Sequence, residues 1–300
     1  VTTGEQHQES IHDGRTGPGV ISAGSDLLAG RTALVTGAAH GIGAATAGLL
    51  TAHGARVLLA DVDADGLAAT AAALPAGSTA VLAGDLTAPG HPAEIVAAAV
   101  DLGAGELDIV VNNAGYNLNA RLVEMSDEAW QAMLDIHVTA PFAVLRAAGP
   151  HLIAAAERDR AAGREVFRKV VSITSIALMG SAYQANYAAA KAAVVGLTKS
   201  LAKEWGPHLV NVNAVGFGSV DTRLTRPRDA DNVLHLPGGD VRLGLSEKVM
   251  TVAAQSIPSG RVASPQEAAG AVFLLCTPWS DWITGQVLLA TGGQVYGMSG

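Results

Sequence analysis

A chain of 300 residues with 49% hydrophobic and 15% charged side chains carries enough apolar material for a large interior, which excludes global disorder. Lys and Arg total 19 against 27 Asp and Glu, a net charge of −8, so the chain is a poor match for nucleic acid or an anionic membrane surface. Cys276 is the only cysteine; an intrachain disulfide or a cysteine zinc cluster is impossible, no metal is expected, and a reducing cytoplasm fits.

Residues 1–28 are polar and glycine-rich, and no apolar run along the chain approaches the length that spans a bilayer. They are expected to form a flexible tail before a single domain over 29–300. Short β-branched runs then alternate with Ala/Leu-rich segments. Strands are predicted at 31–36, 56–60, 79–83, 107–111, 169–174, 210–215 and 286–290. Helices are predicted at 43–53, 64–74, 92–102, 187–203 and 265–275. A further helix begins after Ser126, whose hydroxyl suits an N-cap followed by Asp127 and Glu128, and continues through Leu145. The polar stretch 157–168 reads as the surface end of a helix and a loop. Strands separated by helices imply parallel pairing, and runs such as VLLA and DIVV lack polar alternation. The expected architecture is a doubly wound, seven-stranded parallel sheet with helices on both faces, its ligand site beyond the carboxyl ends of the strands.

The first strand runs into Thr36-Gly37-Ala38-Ala39-His40-Gly41-Ile42-Gly43 and then a helix. Gly37 permits a tight turn, Gly41 leaves room for a diphosphate, and Gly43 allows close helix–strand packing. The helix N-terminus offers N–H groups to the phosphates. A glycine turn without a ligand has the same pattern. Asp61-Val62 ends the second strand, where a carboxylate accepts hydrogen bonds from ribose hydroxyls and repels a 2′-phosphate, so NAD is favoured over NADP. Asp61 also fits an ordinary turn residue. Asp85-Leu86 after the third strand could border adenine. Asn113-Ala114-Gly115 after the fourth brings backbone close to a cofactor, with Asn113 either touching it or tying strands together.

Ser175 follows the fifth strand, and Tyr187 and Lys191 stand four apart on one helix face. A phenol titrates near ~10, and a neighbouring ammonium would lower that value. Tyr187 could then shuttle a proton to or from a substrate oxygen while hydride moves at carbon, with Ser175 holding that oxygen. An i, i+4 Tyr–Lys pair also arises on helices without chemistry.

TGAAHGIG (36–43), NNAG (112–115), the Ser175 region, YAAAK (187–191) and ITGQVLLATGG (283–293) together resemble the classical short-chain dehydrogenase/reductase family, over positions 31 to about 293. QANYAAAK is similar to the 3-oxoacyl-thioester reductase and hydroxyacyl dehydrogenase branches. The resemblance implies a Rossmann-type catalytic domain and a catalytic Ser175, Tyr187 and Lys191, the lysine also holding the nicotinamide ribose. It further implies a homotetramer or homodimer.

Three departures stand out. His137 occupies the place of the family's helix asparagine, whose carbonyl holds a relay water. Pro141 has no N–H for the His137 carbonyl, which leaves that carbonyl free. The imidazole could add a titratable group or simply pack in the core. Phe217-Gly218 replaces the usual Pro-Gly, and Val220 and Thr222 then align with contacts to the nicotinamide carboxamide. The loop between Ser175 and Tyr187 is one residue short, which leaves Thr174 as an alternative donor to Ser175. Positions 222–258 form a long connection expected to be a substrate lid. Its Arg223, Arg226 and Arg228 could meet an acidic substrate or phosphopantetheine, although Asp229, Asp231 and Asp240 dilute the charge.

The expected activity is NAD(H)-dependent interconversion of a ketone and a secondary alcohol on a small-molecule substrate. The alternatives are an NADPH-dependent reductase of 3-oxoacyl thioesters on a carrier protein or CoA, and a non-catalytic dinucleotide-binding sensor.

Overall fold

The computed structural model describes residues 26–226, 232–236, 239–244, 251 and 254–294. Most of the predicted tail and Arg228, Asp229 and Asp231 of the long connection lie outside them. Seven parallel strands form one sheet: β1 (Thr32–Thr36), β2 (Arg56–Asp61), β3 (Thr79–Ala83), β4 (Ile109–Asn112), β5 (Arg168–Ser175), β6 (Val210–Phe217) and, last in the chain, Val287–Ala290. Two short strands, β7 (Val233–Leu236) and β8 (Gly239–Arg242), pair antiparallel outside the sheet, so the last strand is β9. The order across the sheet is β3-β2-β1-β4-β5-β6-β9. The chain runs outward from β1 to β3 and then returns to place β4 on the other side of β1. The crevice between β1 and β4 is the switch point where such sheets bind ligands.

The helices are α1 (Gly41–Ala52), α2 (Ala64–Ala72), α3 (His91–Leu102), α4 (Asp127–Leu134), α5 (Ala140–Ala161), α6 (Ala185–Trp205) and α7 (Pro265–Cys276). Alternation along each strand divides the core in two. Ala33, Val35, Val57 and Leu59 face Leu50 of α1 and Val272 of α7, whereas Leu34, Leu58 and Val110 face Ile95 of α3, Leu152 of α5 and Trp205 of α6. Ser126 caps α4 by accepting from the Ala129 N–H, as its sequence suggests.

Several expectations change. The helix predicted to stop near Leu145 runs on to Ala161 with Pro150 inside it. Between α4 and α5 lies a π-helical turn, Asp135–Thr139. Pro141 cannot supply the N–H that an α-helix would aim at the His137 carbonyl, so the widened turn sits where that bond is missing. The composite helix Asp127–Ala161 is long and apolar enough to cross a membrane by length and composition, contrary to the sequence reading. Here its Met133, Val144, Leu145 and Leu152 are buried against the sheet. Leu28, assigned to the tail, is 2% exposed, and its N–H bonds the His53 carbonyl. Arg168, assigned to a surface loop, opens β5 at 3% exposure. It is buried because Asp159, 2.7 Å away, and Asp108, 3.2 Å away, meet its guanidinium.

Candidate active site

A cavity of 1160 Å³ opens at the carboxyl ends of the strands and touches β1, β2, β5, β6 and the segment that follows β4. Its floor is the glycine turn. Gly37 has φ +67°, and a Cβ there would lie 2.7 Å from Ala114 Cα; a Cβ on Gly43 would collide with the Gly37 carbonyl oxygen. His40, the N-cap residue, offers α1 no side-chain bond, so the first-turn N–H groups beside Gly41 and Ile42 are uncapped toward the cavity. A Cβ on Gly41 would sit 3.3 Å from the Thr222 methyl, which roofs the turn. The glycine turn and uncapped helix end therefore fit a dinucleotide's diphosphate.

Asp61 and Val62 border the cavity at the end of β2. The Asp61 carboxylate accepts the Ala39 N–H at 3.0 Å and the Asp63 N–H at 3.1 Å. Asp85 and Leu86 border it after β3, where Asp85 Oδ1 accepts from the Thr87 hydroxyl. Asn113 is turned inward: its amide donates to the Thr36 and Gly37 carbonyls, each at 3.0 Å, tying β4 to β1. Of its two sequence readings, the strand tie accounts for this amide's bonds. Thr36 Oγ1 completes the tie by accepting the N–H groups of Asn113 and Ala114. Val220 is buried at the cavity wall and pairs with Ala263.

Ser175, Tyr187 and Lys191 converge at the end of β5 and all line the cavity. The Ser175 hydroxyl accepts the Ala177 N–H at 3.2 Å and lies 3.4 Å from the Phe217 carbonyl. The Thr174 hydroxyl is spent on the Lys191 carbonyl at 2.8 Å, which removes it as the alternative donor. Lys191 Nζ donates to the Ile173 carbonyl at 2.8 Å and stands 5.5 Å from the centre of the Tyr187 ring. Burial pushes the Tyr187 phenol up to about 12, opposed by a hydrogen bond with Ser175, and burial alone pulls Lys191 down to about 7. The expected lowering of the phenol by the ammonium is not met in this structure: desolvation disfavours both charges.

His137 is 3% exposed, and burial, aided by the Lys191 charge, holds its pKa well below the usual imidazole range. The titratable imidazole foreseen as one option is therefore absent near neutrality. The neutral ring donates Nε2–H to the Tyr116 carbonyl at 2.6 Å and presents its edge to Tyr187, 5.1 Å between centres. A side chain on Gly115 would collide with this imidazole.

Sequence reasoning assigned no role to Asn186, yet it anchors the first turn of α6 beside Tyr187. Its amide donates to the Leu118 and Ala129 carbonyls and its oxygen accepts the Tyr187 N–H at 2.8 Å. Its place immediately before the tyrosine was the available signal. The hairpin β7–β8, whose Leu234, Leu236, Val241 and Leu243 wall the cavity, was also missed. Of the cations offered to an acidic substrate, the two among the described residues are otherwise engaged: Arg226 pairs with Asp221, and Arg223 bonds Val233 and Asn232.

Residues 37–294 match a family profile described as enoyl-(acyl carrier protein) reductase. The chain is 36% identical to the short-chain reductase protein NovJ of Streptomyces niveus, over 87% of this chain and 93% of that one. It is 33% identical to a 3-oxoacyl-[acyl-carrier-protein] reductase of Thermotoga maritima, over 89% and 99%. A crystal structure of 3-ketoacyl-(acyl-carrier-protein) reductase from Brucella melitensis, complexed with NADH, superposes with a TM-score of 0.74 at 26% identity, covering 89% of this chain and 99% of that one. The chain belongs to the classical short-chain dehydrogenase/reductase family, oxidoreductases that act on carbonyl and CH–OH groups with a nicotinamide cofactor.

Proposed function

We propose that the protein interconverts a ketone and a secondary alcohol with NAD(H), using Tyr187 as the proton donor and acceptor. The observation that carries this reading is the convergence of Ser175, Tyr187 and Lys191 on one cavity beside the glycine turn. The cofactor, when bound, supplies or removes the hydride. In reduction, Ser175 donates a hydrogen bond to the carbonyl oxygen and Tyr187 transfers its proton to that oxygen. A phenol held near 12 is fully protonated at neutral pH and ready as an acid. Lys191, held near 7, can return a proton to the phenolate. His137 does not titrate in this scheme; it holds the Tyr116 backbone and packs against the Tyr187 ring. NAD is preferred to NADP because the Asp61 carboxylate stands at the ribose end of the cradle and would repel a 2′-phosphate.

A 3-oxoacyl thioester is the second reading, favoured by the names of the relatives. Against a phosphate-bearing carrier arm, Arg223 and Arg226 are already committed within the protein. Assembly as a homotetramer or homodimer is supported by Trp279, Trp282 and Leu289, exposed beside and along the edge strand β9. The one cysteine, buried and unpaired, accords with the cytoplasm. A panel of free ketones and acyl thioesters, assayed with NADH and NADPH, tests the proposal. Turnover of free ketones with NADH is expected; turnover confined to thioesters with NADPH would replace it with the second reading, and binding without any turnover with the sensor.

A further inference from the structure

We propose that Arg223 is a positioning residue that holds the apolar wall of the substrate chamber in register with the adenosine end of the cofactor site. Arg223 follows Thr222 in the turn segment beyond β6, and one side chain gathers the base of the hairpin. Its guanidinium donates to the Val233 carbonyl at 2.6 Å and reaches Asn232 Oδ1 at 3.4 Å. The Asn232 amide returns a bond to the Arg223 carbonyl at 2.7 Å, and the Asn232 carbonyl accepts the Leu243 N–H. The β7 end of the hairpin is thus bonded to Arg223 directly, and the β8 end is joined to it through Asn232.

The same guanidinium stands 3.9 Å from Asp63 Oδ2. That oxygen also meets His40 Nε2 at 2.6 Å, and the Asp63 N–H bonds the Asp61 carboxylate. A path of three contacts therefore runs from Asp61 through Asp63 and Arg223 to the hairpin that carries Leu234 and Val241 over the cavity. The Thr222 methyl against Gly41 adds a second link to the cradle. A half-exposed ion pair contributes little to stability, so register is the role this arrangement can serve. The planar guanidinium suits it, because one rigid fork reaches three partners at once. Filling the ribose site fixes Asp61 and Asp63, and with them the hairpin; the coupling is reciprocal.

The inference rests on the reading that the cofactor's adenosine lies at Asp61. ADP-ribose, which lacks nicotinamide, isolates that end. Binding is measured by calorimetry and amide exchange is followed in β7 and β8, for wild type, Arg223→Met and Asp63→Asn. Asn keeps the α2 cap while removing the charge. In wild type, ADP-ribose is expected to slow hairpin exchange about fivefold or more. Either variant should bind ADP-ribose and lose that slowing. Should Arg223→Met fail to fold, Asp63→Asn decides alone. Equal slowing in wild type and variants overturns the role of Arg223. No binding of ADP-ribose to wild type overturns instead the cofactor reading beneath it.

Discussion

Lys169 and Lys191 bond near opposite ends of β5, and the two ends treat a buried ammonium differently. At the amino end Lys169 is 3% exposed and donates to Asp281 at 2.6 Å, to Asn211 at 2.9 Å and to Ser280. Next to it, Arg168 is enclosed by Asp108 and Asp159, and Arg31 adds a second cation to Asp108. At the carboxyl end Lys191 is 5% exposed, has one carbonyl partner and, among the described residues, no carboxylate. Burial lowers the pKa of both lysines, but at Lys169 Asp281 opposes the shift. Buried charge that is neutralised by its neighbours serves the fold; buried charge left uncompensated beside a cavity marks a place where a proton can move.

Removing a partner at the compensated end should cost the most stability. Arg168→Ala strands Asp108 and Asp159 and is expected to lose about 3–5 kcal/mol in denaturant unfolding, with the turnover of the folded fraction unchanged. A loss in turnover at full stability would break the division between the two ends.

The uncompensated end predicts the opposite sign. Lys191 binds its proton less tightly folded than unfolded, so between about pH 7 and the unfolded value near 10.5 stability rises with pH. The penalty is fully present below about pH 7 and gone above 10.5. Lys191→Met should therefore stabilise the protein by on the order of a few kcal/mol at pH 6 and by little at pH 10.5, while costing activity. Thermal unfolding at both pH values checks this; equal shifts would show that the ammonium is not the cause.

Asn186→Ala leaves the Leu118 and Ala129 carbonyls without their donor and should cost about 1–3 kcal/mol, with a larger fall in kcat than in cofactor affinity. The smallest effect is expected at Asp61→Ala. NADH binding, followed by fluorescence, should weaken roughly tenfold and NADPH binding should strengthen. Unchanged discrimination would move the ribose away from β2.

Much of the sheet was legible because β2 and β4 are apolar along most of their length, β1 runs into Gly37, and β2, β4 and β5 end at Asp61, Asn112 and Ser175, so pattern and termination agreed. The glycine turn, the strand-end Ser175 and the Tyr187–Lys191 spacing were legible for the same reason: each is local. What escaped notice depends on distant partners. Arg168 looks like one more charge in a polar stretch until Asp108, sixty positions earlier, is placed beside it. The helix read only through Leu145 runs past Pro150 to Ala161, and the π turn before Pro141 is set by a missing N–H that local pattern does not show. Arg223 offered itself to a substrate in the sequence and is instead drawn to Asn232, Val233 and Asp63. The lowered phenol foreseen from Lys191 failed because spacing reveals proximity and not the loss of water.

The central claim is that the Tyr187 hydroxyl carries the proton. Tyr187→Phe removes that oxygen and keeps the ring packed against His137. With a ketone that wild type reduces, the variant should bind NADH within about twofold of wild type and lose at least ~100-fold in kcat. A variant that binds NADH and turns over at close to the wild-type rate would contradict the account.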